Sequence, residues 1–148
     1  MKKSVGRLVS ILYRKNQVYL NMALKQFNIT ASELPILSYL YHNDGVSQEE
    51  LSSYLVIDKA STARAIQSLL EKGFLRKEKD VIDRRANKVF LTELGLSQQN
   101  FIQEILQQWS SFLTEGIDEK AICTMFTVLE SMVKKVEIAD FQELWRNE

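Results

Sequence analysis

The stretch SQEELSSYLVIDKASTARAIQSLLEKG, residues 47–73, carries the start and stop signals of two short helices. Ser47 and Glu50 stand three residues apart, which is the spacing of a capping box at a helix start. Asp58 is the cap expected for a second helix, and Gly73 can adopt the left-handed conformation that ends it. Two helices joined by a turn of three or four residues form a helix-turn-helix, so we predict this motif over residues 47–72.

The predicted second helix, residues 58–72, has an outer side that suits a nucleic acid. Its apolar residues recur at helical spacing, and we expect them to face the core: Ala63, Ile66, Leu69 and Leu70. The residues left outside are small, hydroxylated or cationic, namely Lys59, Ser61, Thr62, Arg64, Ala65 and Ser68. Such a face can enter the major groove of DNA, about 12 Å wide, where Arg and Lys pair with guanine and Ser and Thr pair with either kind of base.

A β-hairpin is predicted directly after this helix. Residues 74–79 and 88–91 have strand character and flank a charged tip that contains Asp83-Arg84-Arg85. A basic tip can reach the minor groove, whose negative potential attracts arginine. We interpret Asp83 as the residue that orients a neighbouring arginine, and either Arg84 or Arg85 as the minor-groove probe. The alternative is a surface ion pair at a turn, which contributes about 0–1 kcal/mol.

Basic residues are concentrated in this region although the net charge of the chain is zero. Residues 59–88 hold nine basic and four acidic side chains, whereas residues 93–148 hold four basic and ten acidic ones. A basic block inside a neutral chain is typical of a phosphate-binding surface. A solvated charged face gives the same pattern, so charge alone leaves both interpretations open.

Further helices are predicted on both sides. Residues 4–27 carry an apolar stripe, and Thr30-Ala31-Ser32-Glu33 fits a capping box for a helix that reaches residue 41. Pro35 lies just past the first turn and is expected to cost that helix one hydrogen bond. Thr92 is expected to cap a long helix, which Gly116 ends before Asp118 caps the last one. The tail of the last helix is more apolar than a monomer normally exposes, which predicts a homodimer: Ile138, Phe141, Leu144 and Trp145.

The sequence offers few residues for catalysis or metal binding and no apparent membrane-spanning segment. His42 is the only histidine and cannot build a zinc site, so we interpret it as a surface residue. Cys123 is the only cysteine, which suits a reducing cytoplasm; we interpret it as a small buried hydrophobic residue, with a redox role as the alternative. The glycines are scattered singly, and no signal peptide or membrane span stands out. We expect a cytoplasmic, non-enzymatic protein without a cofactor.

Several segments together resemble the MarR family of bacterial transcription regulators: SQEEL at 47–51, IDKASTAR at 57–64, LLEKGF at 69–74, DRR at 83–85 and VFLTELG at 89–95. The resemblance implies a mainly α fold with a small β-wing in one domain, residues 1–148. A winged helix-turn-helix would occupy 30–92, with its wing at 74–92, between dimerisation helices at 1–29 and 93–148. The DNA contacts that we then predict are Ser47, Gln48, Lys59, Ser61, Thr62, Arg64, Ser68, Asp83, Arg84 and Arg85.

The resemblance also implies a homodimeric repressor whose subunits each bind half of a pseudo-palindromic operator in double-stranded DNA. A small aromatic or amphipathic effector, bound between the dimerisation and DNA-binding parts, would release it. Tyr13, Asn16 and Tyr19 are candidates to line that cleft, although packing also accounts for the tyrosines. The alternative function is a winged-helix protein-interaction module with weak or no DNA binding. The basic block and the Asp83-Arg84-Arg85 tip argue against that alternative.

Overall fold

The structure is a computed structural model that describes residues 3–84 and 87–146. Arg85, one of the predicted DNA contacts, therefore lies outside the described residues. The chain divides into two compact units, Met1–Trp109 and Ser110–Glu148. Within the described residues, no helix has the length and apolar character needed to cross a membrane.

Helices dominate the described residues, as predicted. Ser4 caps the first helix by accepting a hydrogen bond from the backbone N–H of Arg7, and one 3₁₀ turn, Lys25–Phe27, follows that helix. The elements follow in the order α1 Val5–Leu24, α2 Leu34–Leu40, β1 Val46–Ser47, α3 Gln48–Leu55, α4 Lys59–Glu71, β2 Leu75–Lys79, β3 Asn87–Leu91, α5 Glu93–Ser97, α6 Gln99–Thr114, α7 Glu119–Glu137 and α8 Phe141–Arg146.

The predicted hairpin is present, and it belongs to a small antiparallel sheet with the strand order β1-β3-β2. The register places Leu75 opposite Leu91 and Lys77 opposite Val89. Successive side chains of a strand point to opposite faces, so Leu75, Lys77 and Val89 share one face of the sheet. The two-residue strand β1 was not predicted, because its pairing with β3 joins residues more than forty positions apart.

The core of the first unit joins α1, α2, α3, α4, the two strands of the hairpin and α6. Leu24 ends α1, Leu37 lies in α2, and Leu51, Leu69 and Ile102 come from α3, α4 and α6; each of them is almost completely buried. Since α4 and the base of the hairpin contribute to the same core, their orientation relative to each other is set by packing rather than by a flexible linker.

Two helix boundaries differ from the prediction. Glu33 accepts a hydrogen bond from the backbone N–H of Thr30, but the Thr30 hydroxyl pairs with Ser32 instead of capping, so α2 begins at Leu34. Pro35 then lies in the first turn, where it costs no hydrogen bond. The long helix expected after Thr92 is broken at Gln98 into α5 and α6.

The prediction for the single histidine is confirmed, and the prediction for the single cysteine is wrong. His42 is exposed at the end of α2, as expected for a surface residue. Cys123 is also exposed, so its interpretation as a buried hydrophobic residue is wrong for this chain. The exposed side of α7, on which it lies, was not apparent from the apolar neighbours Ile122 and Met125.

Candidate nucleic-acid interface

The turn between α3 and α4 is held by hydrogen bonds from both helices. Ser47 and Glu50 form the predicted capping box at the start of α3. In the turn itself, the Ser52 hydroxyl of α3 donates to the Ile57 carbonyl at 2.9 Å, and the Asp58 carboxylate accepts from the backbone N–H of Ser61 at 2.8 Å. The hydrogen bonds from Ser61 hold the pKa of the Asp58 carboxyl below its ordinary value. Val56 closes the turn in a left-handed conformation, φ 55°, which β-branched residues seldom adopt. The start of α4 is therefore held in one position relative to α3.

Arg64 lies on the exposed side of α4. Its Nη2 donates to the Ser61 hydroxyl at 2.9 Å, so the guanidinium is held near the amino end of the helix. Gln67 is exposed one turn further on and donates to Glu71 at 3.0 Å. Lys59 is exposed at the first position of the helix, 4.0 Å from a carboxylate oxygen of Glu49. This side offers one guanidinium, one ammonium and one amide to a partner.

Thr62 does not lie on that exposed side, contrary to the prediction. Its side chain is fully buried at 0 % exposure, and its hydroxyl donates to the Asp58 carbonyl at 3.0 Å. The buried stripe of α4 is formed by Thr62, Ile66 and Leu69, at the spacing i, i+4, i+7. A threonine can join such a stripe because its hydroxyl bonds back to the preceding turn and its methyl group packs. Thr62 therefore has no access to DNA.

Ser68 is half-buried, and its hydroxyl is engaged within the protein. Its hydroxyl donates to Glu33 at 2.5 Å, and the Lys72 ammonium donates to both oxygens of the same carboxylate at 2.8 and 2.9 Å. Glu33 is 2 % exposed and also accepts from the Thr30 backbone. This cluster of Thr30, Glu33, Ser68 and Lys72 joins the loop before α2 to the carboxyl end of α4.

One open groove is shared by α3, α4 and the hairpin. It is lined by Gln48, Ala63, Arg64, Gln67, Ser68, Glu71 and Lys77. Lys77 reaches it because it lies on the same sheet face as Val89, which is buried against the helices. An arginine of the helix and a lysine of the strand thus line one surface. A smaller groove next to it is lined by Ser47, Gln48, Glu49, Lys77, Asn87 and Val89.

Gln67 and Lys77 were not among the predicted contacts. The sequence analysis assigned Ala63 to the buried side of α4. This assignment rotated the predicted exposed side about the helix axis by about one residue and left Gln67 out of it. Ala63 is only half-buried and lines the groove. A signal was present for Lys77, since strand alternation places it on the same side as the apolar Leu75.

The tip of the hairpin is organised by Asp80, another residue that was missed. Its carboxylate accepts from the backbone N–H of Ile82 at 2.8 Å and of Asp83 at 3.4 Å, and lies 3.5 Å from the Lys88 ammonium. The hydrogen bond from Ile82 is the largest cause that holds the pKa of Asp80 below its ordinary value. Arg84 is exposed at the end of this turn. The pairing of Asp83 with an arginine remains a prediction, as does the role of Arg85.

A cavity of about 510 Å³ lies in the first unit, between α1, α2 and the turn of the helix-turn-helix. It is lined by Tyr13, Gln17, Ala31, Ser32, Pro35, Ile36, Leu55, Val56, Ile57, Ser61, Thr62 and Ala65. Of the predicted ligand residues, Tyr13 lines this cavity and the other two do not. Tyr19 donates to the Ile105 carbonyl at 3.1 Å and stacks on Trp109 with ring centroids 5.0 Å apart. The Oδ1 atom of Asn16 is buried and accepts no hydrogen bond from the described residues.

Comparisons with known proteins point to one family. A profile of the MarR family matches residues 27–86. The crystal structure of a MarR transcriptional regulator from Methanosarcina mazei Go1 is 37% identical, with a TM-score of 0.84 over 88% of this chain and 94% of that chain.

Two sequence relatives are more distant. An HTH-type transcriptional regulator of Bacillus subtilis (strain 168), YybA, is 24% identical over 131 residues, which cover 88% of this chain and 87% of the relative. The multiple antibiotic resistance protein MarR of Escherichia coli (strain K12) is 26% identical over 133 residues, covering 89% and 90% of the two chains. The exposed face of α4 and the hairpin line one groove, and the sequence is 37% identical to that of the Methanosarcina regulator over most of both chains. This chain therefore belongs to the MarR family and is a DNA-binding transcription regulator rather than an enzyme.

Proposed function

We propose that the chain works as a homodimeric repressor that binds a pseudo-palindromic operator through α4 and the β2–β3 hairpin. The observation that carries this proposal is the groove in which Arg64, Gln67 and Lys77 lie side by side. In the major groove an arginine pairs with guanine and a glutamine pairs with adenine, while a lysine neutralises phosphates. A regulator of chromosomal genes would act in the cytoplasm.

Each part of the interface has a proposed role. Arg64 and Gln67 contact base edges, and Lys59 and Lys77 contact phosphates on either side of the groove. Ser47 and Gln48, at the start of α3, lie at the smaller groove and reach the backbone of the duplex. Asp83, Arg84 and Arg85 reach the minor groove. Residues 30–92 form the DNA-binding part in this proposal, and residues 1–29 and 93–148 form the dimerisation part.

The salt dependence of binding tests the role of the hairpin. Replacing both Arg84 and Arg85 with Ala is expected to lower the slope of log affinity against log salt by roughly 2 to 4, because each subunit of the dimer loses one or two contacts and each neutralised phosphate contributes about 0.9. Fluorescence anisotropy on a genomic fragment that the protein itself selects gives this slope. Lys134 and Lys135 form a matched basic pair in α7, and their double alanine variant should keep the original slope. An unchanged slope in the arginine variant would remove the hairpin from the DNA contacts.

Exposed apolar side chains on the terminal helices support the homodimer. They are Val5, Leu8, Val9 and Leu12 on α1, Phe126, Leu129 and Val133 on α7, and Phe141, Leu144 and Trp145 on α8. Monomeric proteins rarely leave so many large apolar residues in water. Sedimentation at micromolar concentration is expected to give a dimer, which would place two α4 helices about 34–36 Å apart on successive turns of DNA. A monomer as the only species would contradict this part.

The cavity between α1, α2 and the turn of the helix-turn-helix supports regulation by a small ligand. Its volume is within the range of roughly 300–1,000 Å³ that is common for small-molecule sites, and none of its lining residues is charged. An uncharged aromatic molecule suits these walls better than an anion does. Ser61 lines the cavity and also accepts the hydrogen bond from Arg64. A ligand against Ser61 would therefore disturb the side chain to which we assign base recognition.

A further inference from the structure

Two apolar side chains at the tip of the hairpin are almost completely in water. Val81 is 93 % exposed and Ile82 is 97 % exposed, the highest values among the large hydrophobic residues that the structure describes. Hairpin tips usually carry Gly, Asn, Asp, Ser or Pro, each of which stabilises a turn. Valine and isoleucine do not provide that stabilisation, so the turn itself gives no reason for them.

The turn is instead stabilised by the residues on either side of the apolar pair. Asp80 accepts hydrogen bonds from the backbone N–H groups of Ile82 and Asp83, and its carboxylate faces the Lys88 ammonium. These contacts involve no atom of the Val81 and Ile82 side chains, which remain available to a partner. Both side chains are β-branched and therefore restricted at χ1, so they lose little conformational entropy when a partner covers them.

The surroundings of the pair define the chemistry of that partner. The hairpin, residues 75–91, contains six basic and three acidic side chains, and Arg84 is exposed two positions after Ile82. Two side chains alone are too small for the core of a protein–protein interface. A polyanion that also offers a narrow apolar cleft fits both the charge and the size. The minor groove of DNA, lined by deoxyribose, has these properties.

We propose that Val81 and Ile82 form an apolar tip that packs into the minor groove of the operator beside Arg84. This inference rests on the proposed function, in which the hairpin lies against DNA. Apolar wedges in the minor groove partly unstack a base step, and pyrimidine–purine steps such as TA unstack most easily. The apolar tip therefore selects a flexible step at a position where no hydrogen bond specifies a base.

The test replaces the apolar character and keeps the shape of the backbone. Val81→Thr with Ile82→Thr retains β-branching at both positions, and the melting temperature should not change because both side chains are exposed. At fixed salt this variant is expected to lose roughly tenfold in affinity for the selected fragment, since part of two apolar side chains is no longer removed from water. The slope against log salt should stay as in the wild type, because no phosphate contact is lost. The swapped pair, Val81→Ile with Ile82→Val, is the matched control and should bind like the wild type.

The outcomes separate this inference from the proposed function. Wild-type affinity of the threonine variant, together with a lower slope for the Arg84→Ala, Arg85→Ala variant, would overturn the apolar tip and leave the hairpin on DNA. A lower slope for the threonine variant would also overturn it, because the substitution would then act through the arginines. If neither variant changes affinity or slope, the hairpin does not bind DNA and both proposals for it fail.

A second measurement tests the minor groove itself. Replacing adenine by 2,6-diaminopurine adds an amino group to the minor groove and leaves the major-groove edge of the base pair in place. Scanned across the A·T pairs of the fragment, this change should weaken the wild type at one step per half-site and weaken the threonine variant much less. Equal effects on both proteins at every step would show that the apolar tip lies outside the minor groove.

Discussion

Glu33→Ala is expected to lower the free energy of unfolding by about 3–5 kcal/mol, the typical result of removing one partner of a buried ion pair. The substitution leaves the Lys72 ammonium, whose side chain is only 20% exposed, without its carboxylate. It also removes the acceptor of the Ser68 hydroxyl and of the Thr30 backbone N–H. Urea unfolding at neutral pH measures the effect. Glu49→Ala is the matched control, because the Glu49 carboxylate is largely exposed and its ion pair with Lys59 is long, at 4.0 Å. Little change in stability is expected from its removal.

The pH dependence of this difference identifies its electrostatic origin. Burial raises the pKa of the Glu33 carboxyl, but hydrogen bonds from Lys72, Ser68 and Thr30 outweigh burial and hold the pKa below its ordinary value of 4.5. A carboxyl with a lowered pKa in the folded state stabilises that state above its unfolded pKa, and this contribution is lost as the pH falls through the folded pKa. The stability difference between wild type and Glu33→Ala should therefore shrink on acidification below about pH 4.5. A constant difference across that range would mean that packing, not charge, is responsible.

Gly95→Ala is expected to destabilise the protein by about 3 kcal/mol, because the new side chain has no space. A Cβ atom at this position would lie 2.3 Å from the Phe74 carbonyl oxygen and 3.2 Å from a methyl group of Leu91. The Phe74 carbonyl cannot move freely, since it accepts the backbone N–H of Thr92 at the base of the hairpin. The Gly95 carbonyl accepts from the hydroxyl of Tyr41, whose pKa burial raises to about 12.

Gly6→Ala is the matched control for this prediction. Gly6 lies in α1, and a Cβ there would meet only the Ser4 hydroxyl oxygen at 4.0 Å. Alanine is the better helix former, so the control should be at least as stable as the wild type, by up to about 1 kcal/mol. Thermal unfolding of both variants measures the contrast. A Gly95→Ala protein as stable as the Gly6→Ala protein would show that α5 does not pack closely on the base of the hairpin.

The elements that the sequence predicts well are those defined by local contacts. The capping box of Ser47 and Glu50, the cap at Asp58 and the left-handed Gly73 all act within three or four residues, and their positions agree with the structure. The hairpin after Gly73 was predicted for the same reason, because strand alternation is a local pattern.

The features that were missed depend on contacts between distant parts of the chain. Glu33 stands 35 positions before Ser68 and 39 before Lys72, so no local pattern indicates that it engages the Ser68 hydroxyl. Thr62 is polar by composition, and its burial depends on packing that surrounds its methyl group. Once the buried stripe of α4 is known to include Thr62, helical spacing places Gln67 on the exposed side. The exposed positions of Lys59 and Arg64 on α4 were therefore predictable from the sequence, whereas that of Gln67 required the structure. The contacts of the arginine-bearing tip remain a prediction.

The most direct test of the account asks whether the outer side of α4 and the hairpin lie on the same stretch of DNA. Cys123 is the only cysteine, so Cys123→Ser provides a background in which Gln67→Cys or Ile82→Cys can carry an iron chelate that cleaves nearby DNA. The wild type labelled at Cys123 in α7, a helix that we assign to the dimer, is the control and should leave the fragment intact. We predict cleavage by both probes within the same half-site, with centres no more than about 5 base pairs, or half a helical turn, apart. Cleavage by only one probe, or by neither, would contradict the claim that the helix and the hairpin bind the duplex together.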